Sequence, residues 1–161
     1  MNTIKRKLNI LKKRKIDKKI DNFFSWIKGA ELVELKSCNI TEDPVRPELD
    51  IIFRRSYGRK IFGVKYKKEI CAIMCFGFTD EVPSTVKELD LMTRDAYLRS
   101  VRRDQNIGQI AIAYTIWSKK RGGGKLIVKE VFKMIKKSNH LNNGAIELQV
   151  NKETQNFEYK I

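Results

Sequence analysis

The stretch that most constrains this chain is AIAYTIWSKKRGGGKLIVKEVFKMIKK, residues 111–137. An apolar, strand-like run meets a basic loop with three consecutive glycines, and a lysine-rich helical pattern follows at once. A helix N-terminus leaves backbone N–H groups unpaired and carries about half a positive charge. Glycines let the chain turn tightly and let backbone approach a ligand closely. Strand, glycine loop and helix in this order form a phosphate cradle. Lys119, Lys120, Arg121 and Lys125 add side-chain charge around Gly122, Gly123 and Gly124. The stretch is not a Walker loop, which needs G-x-x-x-x-G-K-[ST], nor the dinucleotide motif G-x-G-x-x-G. The competing reading is a plain strand-to-helix connection with ordinary helix-start chemistry.

The rest of the chain reads as one α/β domain. Its 161 residues are enough to bury a core, and a hydrophobic fraction of 42% is that of a globular protein. KIFGVKY alternates and EICAIMCFGF is a long apolar run, with KKE as a polar turn between them. Residues 51–78 are therefore expected to form a hairpin or meander. Thr85 and Glu88 have the spacing of a capping box, and a helix is expected over 85–103 with Val86, Leu89, Met92, Ala96 and Val101 at its core face. QIAIAYTIW reads as a strand alternating around Ile110, Ile112, Tyr114 and Ile116. A helix over 125–137 follows, burying Val128, Val131, Phe132 and Ile135. The tail alternates twice, through Ile146, Leu148 and Val150 and through Phe157, Tyr159 and Ile161, which predicts a terminal hairpin over 145–161.

Charge is concentrated at the start. The chain carries 34 Lys+Arg against 19 Asp+Glu, a formal net charge of +15. Residues 1–28 hold ten basic side chains against Asp17 and Asp21 alone. Ile4, Leu8 and Leu11 make one helical stripe, and Ile16, Ile20, Phe23, Phe24 and Ile27 make another. The division expected is a basic arm and amphipathic helix over 1–28, ending near Gly29, and a domain over 29–161. A surplus of this size attracts anions: nucleic acid, an acidic membrane surface or a polyphosphate ligand. Nucleic acid is the preferred partner for the arm, because its bulky apolar residues fall in the half expected to pack on the domain.

Several classes are disfavoured. No apolar run approaches the ~18–20 residues that span a bilayer, and the N-terminus lacks the apolar core of a secretory signal. Cys38, Cys71 and Cys75 form no C-x-x-C pair and read as free thiols in a reducing cytoplasm. No metal site is expected. His140 reads as a loop residue, and Trp117 and Tyr114 as core or cleft walls. Abundant Lys, Ile and Asn point to an AT-rich genome, such as that of a phage.

The strand–loop–helix stretch resembles the acyl-CoA-binding motif of the GNAT superfamily of N-acetyltransferases, whose loop follows the pattern [Q/R]-x-x-G-x-[G/A]. Arg121, Gly124 and Leu126 occupy the three positions; the first two match and Leu126 does not. The resemblance spans about residues 51–137. It implies an α/β fold with a mixed, mostly antiparallel sheet and flanking helices, and acetyl-CoA as co-substrate. Loop amides over Lys119 to Lys125 would hold the pyrophosphate, and the strand end at Ile116 and Trp117 the pantetheine arm. The implied activity is acyl transfer to an amine. The alternative is a non-enzymatic nucleic-acid-binding protein built on the same fold. No catalytic residue is assigned: an acidic residue on the motif strand is missing between Gln105 and Trp117, Asp104 is the nearest carboxylate, and Tyr159 is the nearest counterpart to the family's frequent general acid. Leu126 is expected to press the helix away from the pyrophosphate.

Overall fold

The computed structural model describes residues 2–103, 108, 110–137, 145–150 and 157–159, with side chains for 12–23, 25–103, 108 and 110–137. Asp104, His140 and the stretch 151–156 lie outside the described residues, as do the side chains of the terminal hairpin.

Among the described residues, six strands form one sheet in sequence order. They are β1 (Glu31–Glu34), β2 (Lys60–Tyr66), β3 (Glu69–Thr79), β4 (Ile110–Ser118), β5 (Ala145–Val150) and β6 (Phe157–Tyr159). The first four pair antiparallel, β4 and β5 pair parallel, and β6 returns antiparallel to β5. The parallel pair follows from the crossover helix between its strands. The hairpin expected over 145–161 is thus present in the described parts of β5 and β6. The β2–β3 turn is made by Lys67 and Lys68, both at positive φ (48° and 71°), which suits the twist of a two-residue hairpin loop.

Among the described residues, four α-helices flank the sheet: α1 (Asn2–Lys28), α2 (Ile51–Arg55), α3 (Val86–Arg103) and α4 (Gly123–Lys137). One sheet face packs Phe62, Val64, Ala72, Met74, Ala111 and Ala113 against Trp26 of α1 and against Leu126, Ile127, Val131 and Ile135 of α4. The other face buries Ile61, Ile73, Cys75, Ile112, Tyr114 and Trp117 with Leu49 and with Leu89 of α3.

Four differences from the sequence expectations have local causes. Ile51–Arg55 is a helix rather than part of a meander, because Asp50 Oδ1 caps it by accepting from Phe53 N at 2.7 Å. The core face of α3 is Leu89, Thr93, Ala96 and Ser100, while Val101 is exposed. Polar Thr93 is buried because Arg59 Nη2 donates to its hydroxyl at 2.6 Å. On α4, Leu126 and Ile127 are buried while Val128 and Phe132 are only half-buried. Finally, the basic segment and the amphipathic stripe share the single helix α1. Its residues 12–23 are all exposed, and Trp26 is its buried anchor.

Candidate functional site

The site begins with a defect in β4. Cys75 pairs with Thr115 and Phe76 with Ala113, so Tyr114 is an extra residue on β4. Such a bulge bends the strand and shifts the phase of its side chains. Ile110, Ile112 and Tyr114 face the α3 side, but Ile116 packs on the α4 side and Trp117 on the α3 side. The simple alternation expected through Ile116 breaks here, and Ile116 and Trp117 flank the strand end on opposite faces.

The bulge coincides with a parting of strands. Among the described residues β5 pairs with β4 through Ala111–Ala113 alone, and its later residues Leu148–Val150 pair with β6. Among the described residues, the edge of β4 from Tyr114 to Ser118 has no partner on the β5 side. That edge runs on into the glycine loop.

Ser118 pins that loop. Its Oγ donates within reach of Lys120 O (2.6 Å) and Cys71 O (3.1 Å) and accepts from Lys120 N at 3.2 Å. Lys119 N donates to Cys71 O at 2.9 Å, extending the β3–β4 ladder by one step. Gly122 lies at φ +83°, and a Cβ on Gly123 would fall 2.2 Å from Ser118 Oγ. A Cβ on Gly124 would meet nothing within 4 Å. Helix α4 starts at Gly123, two residues earlier than the pattern indicated, so two glycines lie in its first turn. Gly123 N donates to Lys120 O and Leu126 N to Gly122 O. The N–H groups of Arg121, Gly122, Gly124 and Lys125 have no acceptor among the described residues. Leu126 is buried in the α4 core, so its bulk is taken up beneath the helix rather than in the cradle.

The four loop cations are placed differently. Lys119 Nζ pairs with Glu42 Oε2 at 2.8 Å. Lys120 Nζ lies over the Tyr66 and Trp26 rings, 4.5 and 5.1 Å from their centroids. Arg121 and Lys125 are exposed. Arg121 also borders a cleft of about 460 Å³ lined by Ile16, Lys19, Ile20 and Phe23 of α1.

A second cleft, of about 530 Å³, opens beside Lys119 and is lined by Leu35, Cys38, Asn39, Glu42, Ile70 and Ile73 among others. Glu42 was not singled out by sequence reasoning. The Lys119 ammonium beside it holds its carboxyl below the usual range, so it is a held anion and a weak base. Behind this cleft, Asp43 accepts from Val45 N, Arg46 N and Thr115 Oγ1 (2.9, 3.1 and 2.7 Å), which ties the β1–α2 connection to β4 just past the bulge. No cluster of three or more His, Cys, Asp or Glu among the described residues could hold a metal. No described helix is long and apolar enough to cross a membrane.

The architecture is a mixed α/β fold with a mostly antiparallel sheet and flanking helices. One similar solved structure is malonyl-CoA decarboxylase from Cupriavidus metallidurans, at a TM-score of 0.54 and 18% sequence identity. The match covers 84% of this chain and 35% of the decarboxylase chain, so the chain spans about a third of that protein. Neither protein-family models nor curated proteins give a match.

Proposed function

We propose that the chain binds an acyl-CoA, with acetyl-CoA as the favoured form, and transfers its acyl group to an amine. The observation that carries this reading is the edge of β4 beyond Ala113, without a partner on the β5 side among the described residues, leading into a helix start with unpaired amides. A pyrophosphate on the Gly122–Lys125 amides is stabilised by the α4 dipole and by Arg121 and Lys125. A pantetheine arm laid along this edge of β4 would pair its amides there as a strand does. The shared fold with a protein named for a CoA ester supports the same ligand class. Glu42 is too well stabilised as an anion to be a strong base. Holding a neutral amine against the thioester would then supply most of the acceleration. Three free cysteines suit a reducing cytoplasm.

Calorimetry with acetyl-CoA on the full chain tests the reading. Saturable heat is expected, and Gly124→Asp should abolish it by setting a carboxylate against the pyrophosphate. No saturation at millimolar ligand would overturn the assignment.

A second reading concerns α1. Lys12, Lys13, Arg14, Lys15, Lys18 and Lys19 are all exposed on one continuous helix. That display supports non-specific nucleic-acid binding through phosphate contacts, with or without acyl transfer.

A further inference from the structure

Helix α1 stands against the glycine loop. The Phe23 ring lies at Gly122, where a Cβ would come 3.0 Å from Phe23 Cε2 and 3.1 Å from its Cζ. A side chain at Gly122 would press into the ring, so the glycine lets helix and loop meet closely. Beside the ring opens the cleft of about 460 Å³ lined by Ile16, Lys19, Ile20 and Phe23 of α1 and by Arg121 of the loop. Arg121 thus belongs to cleft and loop alike, and Phe23 joins the cleft to Gly122.

The lining has two characters. Ile16, Ile20 and Phe23 fall at i, i+4 and i+7, so they share one helical stripe, and all three are exposed. Lys19 and Arg121 border that stripe, and neither has a carboxylate partner among the described residues. Asp17 and Asp21, the acids of α1, lie roughly a quarter turn or more around the helix from it. The result is an apolar wall with an aromatic end, edged by two cations and no acid. Flat bases stack on such surfaces, and lysine and arginine hold phosphate oxygens by charge-assisted hydrogen bonds.

We propose that this cleft takes the nucleotide end of the acyl-CoA, with the adenine on Ile16, Ile20 and Phe23 and the 3′-phosphate between Lys19 and Arg121. The inference rests on the acyl-CoA reading of the loop. The connectivity of the ligand suits it. In CoA a single ribose joins the adenine to the pyrophosphate, and the cleft adjoins the loop residues whose amides would hold that pyrophosphate. The 3′-phosphate is the charge that the loop amides leave unused. Helix α1 lies outside residues 51–137, over which the resemblance to acetyltransferases runs, so this half of the site belongs to the N-terminal segment. It gives that segment a role in specificity. A thioester carried on pantetheine without the nucleotide would miss the cleft and bind more loosely than a CoA thioester.

Calorimetry on the full chain tests it with two ligands, acetyl-CoA and its 3′-dephospho form, on the wild type, Lys19→Gln and Ile20→Ser. Both substitutions fall on an exposed helix face, so the melting temperature should hold. Loss of the 3′-phosphate should weaken wild-type binding about tenfold or more. Lys19→Gln should weaken acetyl-CoA by a similar factor and the dephospho form by much less, because the two changes remove one contact. Ile20→Ser should weaken both ligands alike, since both carry the base. Adenosine 3′,5′-bisphosphate, which has no thioester, should compete with acetyl-CoA in the wild type and do so less well in Lys19→Gln. Equal affinity for the two ligands, with both variants matching the wild type, would overturn the cleft assignment and leave the loop reading standing. Additive losses from Lys19→Gln and from removal of the 3′-phosphate would overturn it too, because the phosphate would then be held elsewhere. No heat from acetyl-CoA in the wild type would overturn the loop reading and the cleft assignment with it.

Discussion

The Arg54 guanidinium and the Asp43 carboxylate meet at 2.9 Å with neither side chain exposed to solvent. Every remaining polar atom of the pair is used: Asp43 receives two backbone amides and Thr115, and Arg54 reaches two carbonyls and Cys75. The pair ties the β1–α2 connection to β4 at the bulge. Removing one partner strands a buried charge, which costs about 3–5 kcal/mol. Asp43→Asn and Arg54→Met should each lower the urea midpoint by a corresponding amount. The double substitution should lose less than the two single losses added together, because it leaves no unpaired charge. Additive losses would show that the two groups act independently.

The loop glycines separate folding from ligand binding. Gly123→Ala places a methyl 2.2 Å from Ser118 Oγ and 3.1 Å from Ala72 Cβ. Ser118 must move, and its hold on Lys120 goes with it. Overpacking of this kind costs about 1–3 kcal/mol, and the melting temperature should fall. Gly124 has open space around it. Gly124→Ala should be neutral or gain about 0.5–1 kcal/mol from helix propensity. Gly124→Asp puts a negative charge in the first turn of α4, where the dipole favours it, so the fold should hold while CoA heat disappears. Melting curves and calorimetry on the three variants read both effects.

How much of this was legible in the sequence depended on how local its cause was. The β2–β3 hairpin, α4 and the glycine loop follow from short-range pattern and turn chemistry, although α4 begins at Gly123 and takes two of the loop glycines into its first turn. The face of α3 was misjudged at Val101 because Thr93 and Ser100 are buried by tertiary contacts, Thr93 through Arg59, which lies far away in the chain. The bulge at Tyr114 is a property of two strands in register, so alternation within β4 alone could not reveal it. Cys38, Asp43 and Arg54 carry no motif at all. They come together only because the β1–α2 connection folds back over β3 and β4. Glu42 reaches the loop by the same route.

Tyr114 gives a pH-dependent prediction. It is 1% exposed, and its hydroxyl has no partner among the described residues. Burial, then nearby Cys75, pushes its phenol well above the ordinary value. The folded state therefore keeps the proton, while the unfolded chain loses it near pH ~10. Stability is retained below that pH and falls as pH rises through it, because the unfolded state binds fewer protons. Tyr114→Phe should flatten this alkaline loss in urea titrations. At neutral pH it should be neutral or stabilising by about 1 kcal/mol, since it removes an unpaired buried hydroxyl. A strong loss of stability at neutral pH would mean that the hydroxyl has a partner in solution.

The exposed cations of α1 predict salt-dependent nucleic-acid binding. Lys12 to Lys15 form an unbroken basic block, and Lys18 and Lys19 follow one turn later. Four consecutive helical residues point in four directions about 100° apart, so the charge surrounds the helix rather than marking one stripe. Such a display suits phosphates on a flexible or non-specific polyanion better than a shaped site. Each phosphate neutralised on duplex DNA contributes about −0.9 to the slope of log affinity against log salt. The full chain should therefore show a slope of several units, with little preference among sequences. Deleting residues 1–15 removes much of the basic charge but leaves Trp26, which anchors α1 to the core, so the domain should still fold. The truncated protein should bind DNA more weakly, with a flatter slope, while its CoA heat is unchanged. If DNA affinity is unchanged, the contact surface shifts to Lys129, Lys133, Lys136 and Lys137 on α4; substituting those four would then have to flatten the slope. If neither form binds at low salt, the arm is a solvated surface and the nucleic-acid reading fails.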